Sequence, residues 1–261
     1  MVTGAASGIG RATAELFAAR GFEVVAADWS AEPLRWCDGV DRVLPLVADA
    51  SDDADNERLV ALAVERFGRL DVAILNAGIV GSPALEDPAA LDRFDQVLAV
   101  NVRGVASGIR HAAPAIRASG GGAIVATAST AGLRGDPGSW AYNASKAAVI
   151  NLVRAAAMDY AAQGIRVNAV APGPVETGMT RSLSDRPAMY ESMRRRIPVQ
   201  RWGRPEELAE AFWFLASPAA SFITGVTLPV DGGFSANAAH FDLPEVGGPG
   251  RAPTSVTGRP H

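Results

Sequence analysis

Tyr142-Asn143-Ala144-Ser145-Lys146 places a phenol and an amine four residues apart, one above the other on the face of a helix. That pairing has a chemical use. A phenol with an ordinary pKa of roughly 10 is a poor general base at neutral pH, and a nearby ammonium stabilises its phenolate. Lys146 is the single lysine among 24 basic residues. The one place where arginine was not used is therefore informative, because only an amine gives a compact point charge that titrates readily. Ser129 stands thirteen residues before Tyr142, just past the apolar run Ala123–Thr127. A hydroxyl at a strand's C-terminal end can donate a hydrogen bond to a carbonyl oxygen as negative charge develops there. A serine like Ser129, taken alone, is more often a loop or capping residue. Asn101 alone reads as a surface or helix-contact amide, since asparagine is a poor helix former.

A second cluster carries different chemistry. Thr3-Gly4-Ala5-Ala6-Ser7-Gly8-Ile9-Gly10 lies between the stub of a strand and an amphipathic run. Gly4, Gly8 and Gly10, with Ser7 and Ile9 between them, let backbone approach a pyrophosphate at a helix N-terminus. The spacing departs from G-x-G-x-x-G, so by itself the turn also fits a plain glycine-rich connection. Asp28 closes the next strand, where a carboxylate accepts hydrogen bonds from both adenosine ribose hydroxyls and repels a 2′-phosphate. Trp29 and Ser30 follow it without a cation, and Arg11 falls inside the helix start. Asp28 also fits an ordinary strand-end turn. The reading favoured is NAD over NADP.

These groups need a scaffold, and the pattern supplies one. Short β-branched runs alternate with Ala/Leu-rich segments of helical period, as in an α/β fold with a parallel sheet. The expected strands are Phe22–Ala27, Val43–Val47, Val72–Leu75, Ala123–Thr127, Ile165–Val170 and Val226–Val230. The expected helices are Gly10–Arg20, Asp53–Phe67, Ala90–Arg117, Trp140–Gln163 and Pro205–Ala216. Gly21, Gly68 and Gly164 stand where helix C-caps belong, and Pro205 with Glu206 and Glu207 suits a first turn. Only Met1 and Val2 precede Thr3, so the first strand reads as truncated, which bears on stability rather than chemistry. One domain is expected over residues 1–236. Asn237–His261, rich in Pro and Gly, reads as a flexible tail.

Composition excludes other classes. The 261 residues are 48% hydrophobic and 20% charged, a globular balance. A net charge of −4 gives no general attraction to nucleic acid or to an anionic membrane. No apolar run reaches the ~18–20 residues of a membrane helix, and no signal peptide opens the sequence. Cys37 alone cannot build a disulfide framework, and His111, His240 and His261 make no metal site, so none is expected. The expectation is a soluble, cytoplasmic protein.

Taken together, the Thr3–Gly10 turn, Asn76-Ala77-Gly78, Asn101, Ser129, Tyr142 with Lys146, Pro172-Gly173 and Asp231-Gly232-Gly233 resemble the classical short-chain dehydrogenase/reductase family, over about Val2 to Phe234. The resemblance implies a Rossmann-type, doubly wound, seven-stranded parallel sheet of order 3-2-1-4-5-6-7 and a homotetramer or homodimer. It implies that Ser129 polarises the substrate oxygen, Tyr142 exchanges its proton, and Lys146 lowers the tyrosine pKa and binds the nicotinamide ribose. Asn101 would hold a water in a relay to Lys146. Asp49 with Ala50 would contact adenine, and Asn76, Ala77 and Gly78 would line the cofactor. Pro172 and Gly173 lead to Val175 and Thr177, which would receive the carboxamide. Leu75 replaces the first asparagine of the family's frequent Asn-Asn-Ala-Gly.

In that family a lid follows, here Gly178–Gln200. Met179, Leu183, Met189, Tyr190 and Met193 could line it, while Arg194-Arg195-Arg196 reads as a solvated basic face rather than an acid-binding site. Val80, Pro83, Leu133 and Trp140 are further lining candidates, and His111 is expected in a helix contact. The expected activity is interconversion of a secondary alcohol and a ketone with NAD. The rivals are an NADPH-type ketoreductase of a biosynthetic or carrier-bound intermediate and a non-catalytic nucleotide-sensing regulator. The four groups Asn101, Ser129, Tyr142 and Lys146 together count against the regulator.

Overall fold

A computed structural model describes residues 1–237 and Leu243, so the tail expectation lies almost wholly outside the described residues. Seven parallel strands form one sheet in the order β3-β2-β1-β4-β5-β6-β7. They are β1 Val2–Thr3, β2 Val24–Asp28, β3 Val43–Val47, β4 Val72–Leu75, β5 Gly122–Thr127, β6 Ile165–Pro172 and β7 Thr227–Val230. Although β1 has only two residues, it pairs on both sides, Val2 with Ala26 and with Ile74.

Alternation along the strands feeds two cores. Val25, Ala27, Ile124 and Ala126 face one helical layer: α2 Asp53–Phe67, α4 Gly104–Ala118 and α5 Trp140–Tyr160. Val24, Ala26 and Val125 face the other, α1 Gly8–Ala19 and α8 Pro205–Ala216, through Phe17, Leu208, Phe212 and Leu215. Phe212 is fully buried, so its truncation to alanine should cost about 3–5 kcal/mol. Asp52 caps α2 by accepting from the backbone N–H of Ala54 and Asp55, and Gly68 ends it at φ +77°.

Of the boundaries that differ from the sequence pattern, three have a clear physical cause. Phe22 does not open β2; its ring packs edge-on against Phe17 and Trp213, which draws it to the α1–α8 layer. β6 continues to Pro172 because β7 pairs with its last four residues, Ala169 to Pro172. The expected helix Ala90–Arg117 is α3 Ala90–Leu98, one π-helical turn over Ala99–Arg103, and then α4. Asn101 sits in that turn with its side chain spent on another segment's backbone, which a regular helix would not have provided for. His111 makes the expected helix contact, its Nε2 3.1 Å from Asp53 Oδ1 on α2.

Candidate active site

The reacting groups meet at the C-terminal end of the sheet, where open α/β folds bind ligands. Beyond β5, Ser129 opens a 3-10 turn, Thr130–Gly132, and its Oγ accepts from the Ala131 N–H at 3.1 Å. The turn rests directly on α5: a Cβ on Gly132 would lie 2.6 Å from the Lys146 carbonyl carbon. Only glycine permits that approach. It seats Ser129 against α5, where its hydroxyl acts to lower the Tyr142 pKa.

Lys146 is 2% exposed and donates to the Thr127 carbonyl at 2.7 Å, with its Nζ 5.6 Å from the centre of the Tyr142 ring. Burial lowers its pKa from 10.5 to about 8. The same burial holds Tyr142 above its ordinary value; Ser129's hydrogen bond opposes that rise and the negative charge of Asp136 adds to it. This departs from the sequence argument, in which the ammonium pulls the phenol down. Desolvation disfavours both charged forms, and it is the largest cause at each.

Asn101 is fully buried and does not line the cleft. Its Oδ1 accepts from the Ile79 N–H at 2.8 Å, and its Nδ2 donates to the Ile79 carbonyl and to Ser145 Oγ, each at 3.0 Å. Ser145 in turn donates to the Tyr142 carbonyl at 2.8 Å. Asn101 Oδ1 and Lys146 Nζ converge on Gly78, 3.3 and 3.4 Å from where a Cβ would stand.

From this end a cleft of about 570 Å³ runs across β4 and β1 to β2 and β3. Gly4, Ser7, Gly8, Ile9, Asp28, Asp49, Ala50, Asn76, Ala77 and Gly78 line it, as do Ser129, Tyr142, Lys146, Pro172, Gly173, Val175 and Thr177. Gly10 does not; a Cβ there would lie 2.0 Å from the Gly4 carbonyl oxygen, so it serves the packing of the turn. Asp28 Oδ2 accepts from the Ala6 N–H at 3.0 Å, which fixes the carboxylate beside the turn. Asp49 accepts from Ser51 through both N–H and hydroxyl. Asn76 ties three strands together, donating to the Thr3 and Gly4 carbonyls and accepting from Thr127 Oγ1. Arg11 is engaged with Glu15 and stacked on Trp36.

The lid segment holds a 3-10 turn Gly178–Thr180, α6 Arg181–Ser184 and α7 Pro187–Arg194. Of its lining candidates, Met179 reaches the cleft, whereas Tyr190 stacks on Trp202 and donates to Glu176. Arg194 and Arg195 pair with Glu191, a surface arrangement. Val80, Pro83, Leu133 and Trp140 do not line the cleft, and Trp140 Nε1 donates to the Pro83 carbonyl. Sequence reasoning missed the parts played by Thr3, Thr127 and Gly132, which rest on contacts with distant segments that leave no local pattern. It also missed Asp136 and Ser145; only Ser145 had a signal, its place inside the Tyr-to-Lys motif. Among the described residues no cluster of three His, Cys, Asp or Glu could hold a metal, and no helix is long and apolar enough to cross a membrane.

Comparison with known proteins places this architecture. The family model described as enoyl-(acyl carrier protein) reductase matches residues 4–235. The chain is 41% identical over 244 residues to 2-(R)-hydroxypropyl-CoM dehydrogenase of Xanthobacter autotrophicus, covering 90% of this chain and 98% of that one. It is 45% identical over 243 residues to cis-4-hydroxycyclohexanecarboxylate dehydrogenase of Sinomonas cyclohexanicum, covering 90% and 96%. Among solved structures, 3-ketoacyl-(acyl-carrier-protein) reductase of Brucella melitensis complexed with NADH superposes with a TM-score of 0.83 at 38% identity, covering 89% and 96%. The chain belongs to the classical short-chain dehydrogenase/reductase family of oxidoreductases.

Proposed function

We propose that the protein is an NAD-dependent oxidoreductase that interconverts a secondary alcohol and a ketone, with Tyr142 as general acid and base. The observation that carries this reading is the convergence of Ser129, Tyr142 and Lys146 on one wall of a cleft whose other end is the glycine turn and Asp28. The cleft suits a dinucleotide. Gly78 keeps open the space beside Lys146 Nζ and Asn101 Oδ1, and Gly8 faces Thr177 with only 3.2 Å between that side chain and the place of a Cβ. Asp28 would take the adenosine ribose, Asp49 and Ala50 the adenine, Val175 and Thr177 the carboxamide, and Lys146 the second ribose. Bound there, the nicotinamide would supply the hydride acceptor or donor.

The chain's own groups handle the proton. Ser129 donates to the substrate oxygen. Tyr142, whose protonated form burial favours, gives its proton to the nascent alkoxide in ketone reduction; for oxidation it must first lose that proton to solvent, and its phenolate then takes the hydroxyl proton. Lys146, still largely an ammonium at pH 7, stands 5.6 Å from the centre of the ring and stabilises the phenolate when it forms.

Among the described residues no cation is paired with Asp28, and Arg11 is engaged with Glu15, which supports NAD. The expected kcat/KM ratio of NAD over NADP is at least about tenfold, or ~1.4 kcal/mol. A steady-state comparison on a panel of secondary alcohols tests both halves of the proposal, and equal efficiency with the two cofactors sinks the cofactor half. Assembly as a homotetramer or homodimer through α4 and α5 is supported by the exposed small residues Ala147 and Ala155 on α5. Sedimentation at micromolar concentration checks it, and a monomer would refute it. Small molecules, rather than nucleic acid or membrane, are the proposed partners, in the cytoplasm.

A further inference from the structure

The chain has five tryptophans, and four of them are engaged. Trp36 donates to the Ala5 carbonyl, Trp140 donates to the Pro83 carbonyl, Trp202 stacks on Tyr190, and Trp213 packs edge-on against Phe17 and Phe22. Trp29 is the exception. Its indole makes no hydrogen bond, aromatic contact or cation contact among the described residues, and it is 79% exposed. It nevertheless lines the cleft, together with Pro33 a few residues on. Its place there is set from both sides. Asp28 before it is fixed to the Ala6 N–H, and Trp36 after it to the Ala5 carbonyl, so the stretch between is tied to the glycine turn at each end. β2 and β3 pair in parallel with Asp28 beside Val47, and the Ala48 N–H donates to the Asp28 carbonyl at 2.9 Å. Trp29 and Ala48 therefore leave the sheet side by side, on strands spaced by about 4.8 Å. Asp49 and Ala50 follow Ala48 directly and line the same cleft. The free indole thus borders the end of the cleft proposed above for adenine.

We infer that Trp29 binds the cofactor's adenine: the indole turns onto the open face of the base, stacks on it and covers it from solvent. This rests on the dinucleotide reading of the cleft above. An indole left in water forgoes the burial that such a large apolar ring ordinarily gains. A purine is the partner that suits it, because every base has a π face and an aromatic ring grips that face whatever the pattern on its edge. Asp28 and Trp29 then divide the adenosine between them. The carboxylate recognises the ribose by hydrogen bonding and charge, and the indole holds the base by area.

The test is calorimetric titration of the full chain with NADH and with ADP-ribose, which keeps the adenosine half and lacks the nicotinamide. Trp29→Ala should weaken ADP-ribose by about tenfold, equal to ~1.4 kcal/mol, and NADH by a similar factor. Trp29→Phe keeps a ring and loses Nε1, so it should recover most of that affinity. Because the residue is exposed, neither variant should shift Tm. Tryptophan emission gives a second readout. In the wild type it should change when ADP-ribose binds, and in Trp29→Phe, which keeps the other four tryptophans, most of that change should be gone. ADP-ribose bound by Trp29→Ala within about twofold of wild type overturns the assignment, as does an emission change that persists undiminished in Trp29→Phe. Equal losses in the Ala and Phe variants would put the contact on Nε1 and overturn the stack. Unchanged affinity with an altered sedimentation coefficient would give the indole to contact between copies of this chain instead, and also overturns it. If the wild type binds neither ADP-ribose nor NADH, the dinucleotide reading itself falls and takes the Trp29 assignment with it.

Discussion

The wall that holds Tyr142 and the segment Gly178–Gln200 flank the same cleft but are built on different terms. On the wall, three side chains are held by other parts of the chain, Lys146 by the Thr127 carbonyl, Asn101 by the Ile79 backbone and Ser129 by the seating of Gly132 on α5, while Tyr142 is carried on α5 itself. The segment's two short helices are held mainly by local contacts, Arg194 and Arg195 on Glu191 and Thr180 Oγ1 on the Val175 carbonyl, with the Tyr190–Trp202 stack and the buried Ile197 beyond them as deeper anchors. Proton transfer needs positions good to a fraction of an ångström, and buried backbone partners provide that; exposed ion pairs do not. The difference teaches that substitution on the wall should be felt in kcat and substitution in the segment in KM.

The sharpest break would come from Tyr142→Phe. Turnover should fall by about 10²–10⁴-fold, because only the proton-transfer group is lost. NADH binding followed by fluorescence should barely change. Retained turnover would mean that the wall does not carry the proton.

Lys146→Met tests the wall by stability as well. A lysine whose folded pKa lies near 8, below its ordinary 10.5, loses its proton sooner folded than unfolded. The unfolded chain therefore holds more protons between those values, and wild-type stability rises with pH across that window. Relative to the Met variant, the wild type should gain about 2 kcal/mol between roughly pH 7.5 and 9.5 while the variant is inactive at both. Parallel denaturation curves at the two pH values would contradict the burial of a charged amine.

Tyr190→Phe probes the other side of the cleft. It removes the hydroxyl bond to Glu176 and keeps the stack on Trp202. A half-exposed bond of this kind is worth about 0.5–1.5 kcal/mol, so KM for substrate should rise a few-fold with kcat little altered. A loss confined to kcat would erase the distinction between wall and segment.

The sheet was legible because its signals are local. Apolar runs marked six strands to within two residues, and Gly68 and Gly164 stopped helices where predicted. Tyr142 and Lys146 were legible because four residues on one helix is itself a distance. Asn101 was half legible: its poor helix propensity marked the position, but the π-helical turn depends on Ile79, far away in sequence. Gly132 and Asp136 were not legible. One acts by the absence of a side chain against the Lys146 backbone, and the other by a charge whose neighbour is set only when the loop closes on α5.

The π-helical turn over Ala99–Arg103 also constrains how this stretch can change length. Such a turn accommodates one residue more than an α-helix would, so deleting a single residue there would leave a regular helix with no broken rung. Because the wide turn absorbs that residue within itself, α4 would keep its phase: Ser107 would still reach Asp53 on α2, and Gly104, where a Cβ would meet the Ala50 carbonyl at 2.7 Å, would stay in that contact. The cost would fall inside the turn, where Asn101 is held by the Ile79 backbone and by Ser145. A deletion in the regular helix beyond it would instead rotate the rest of α4 by about 100° and draw it back by ~1.5 Å. The irregular turn is therefore a place where chain length can change without resetting the helix that follows.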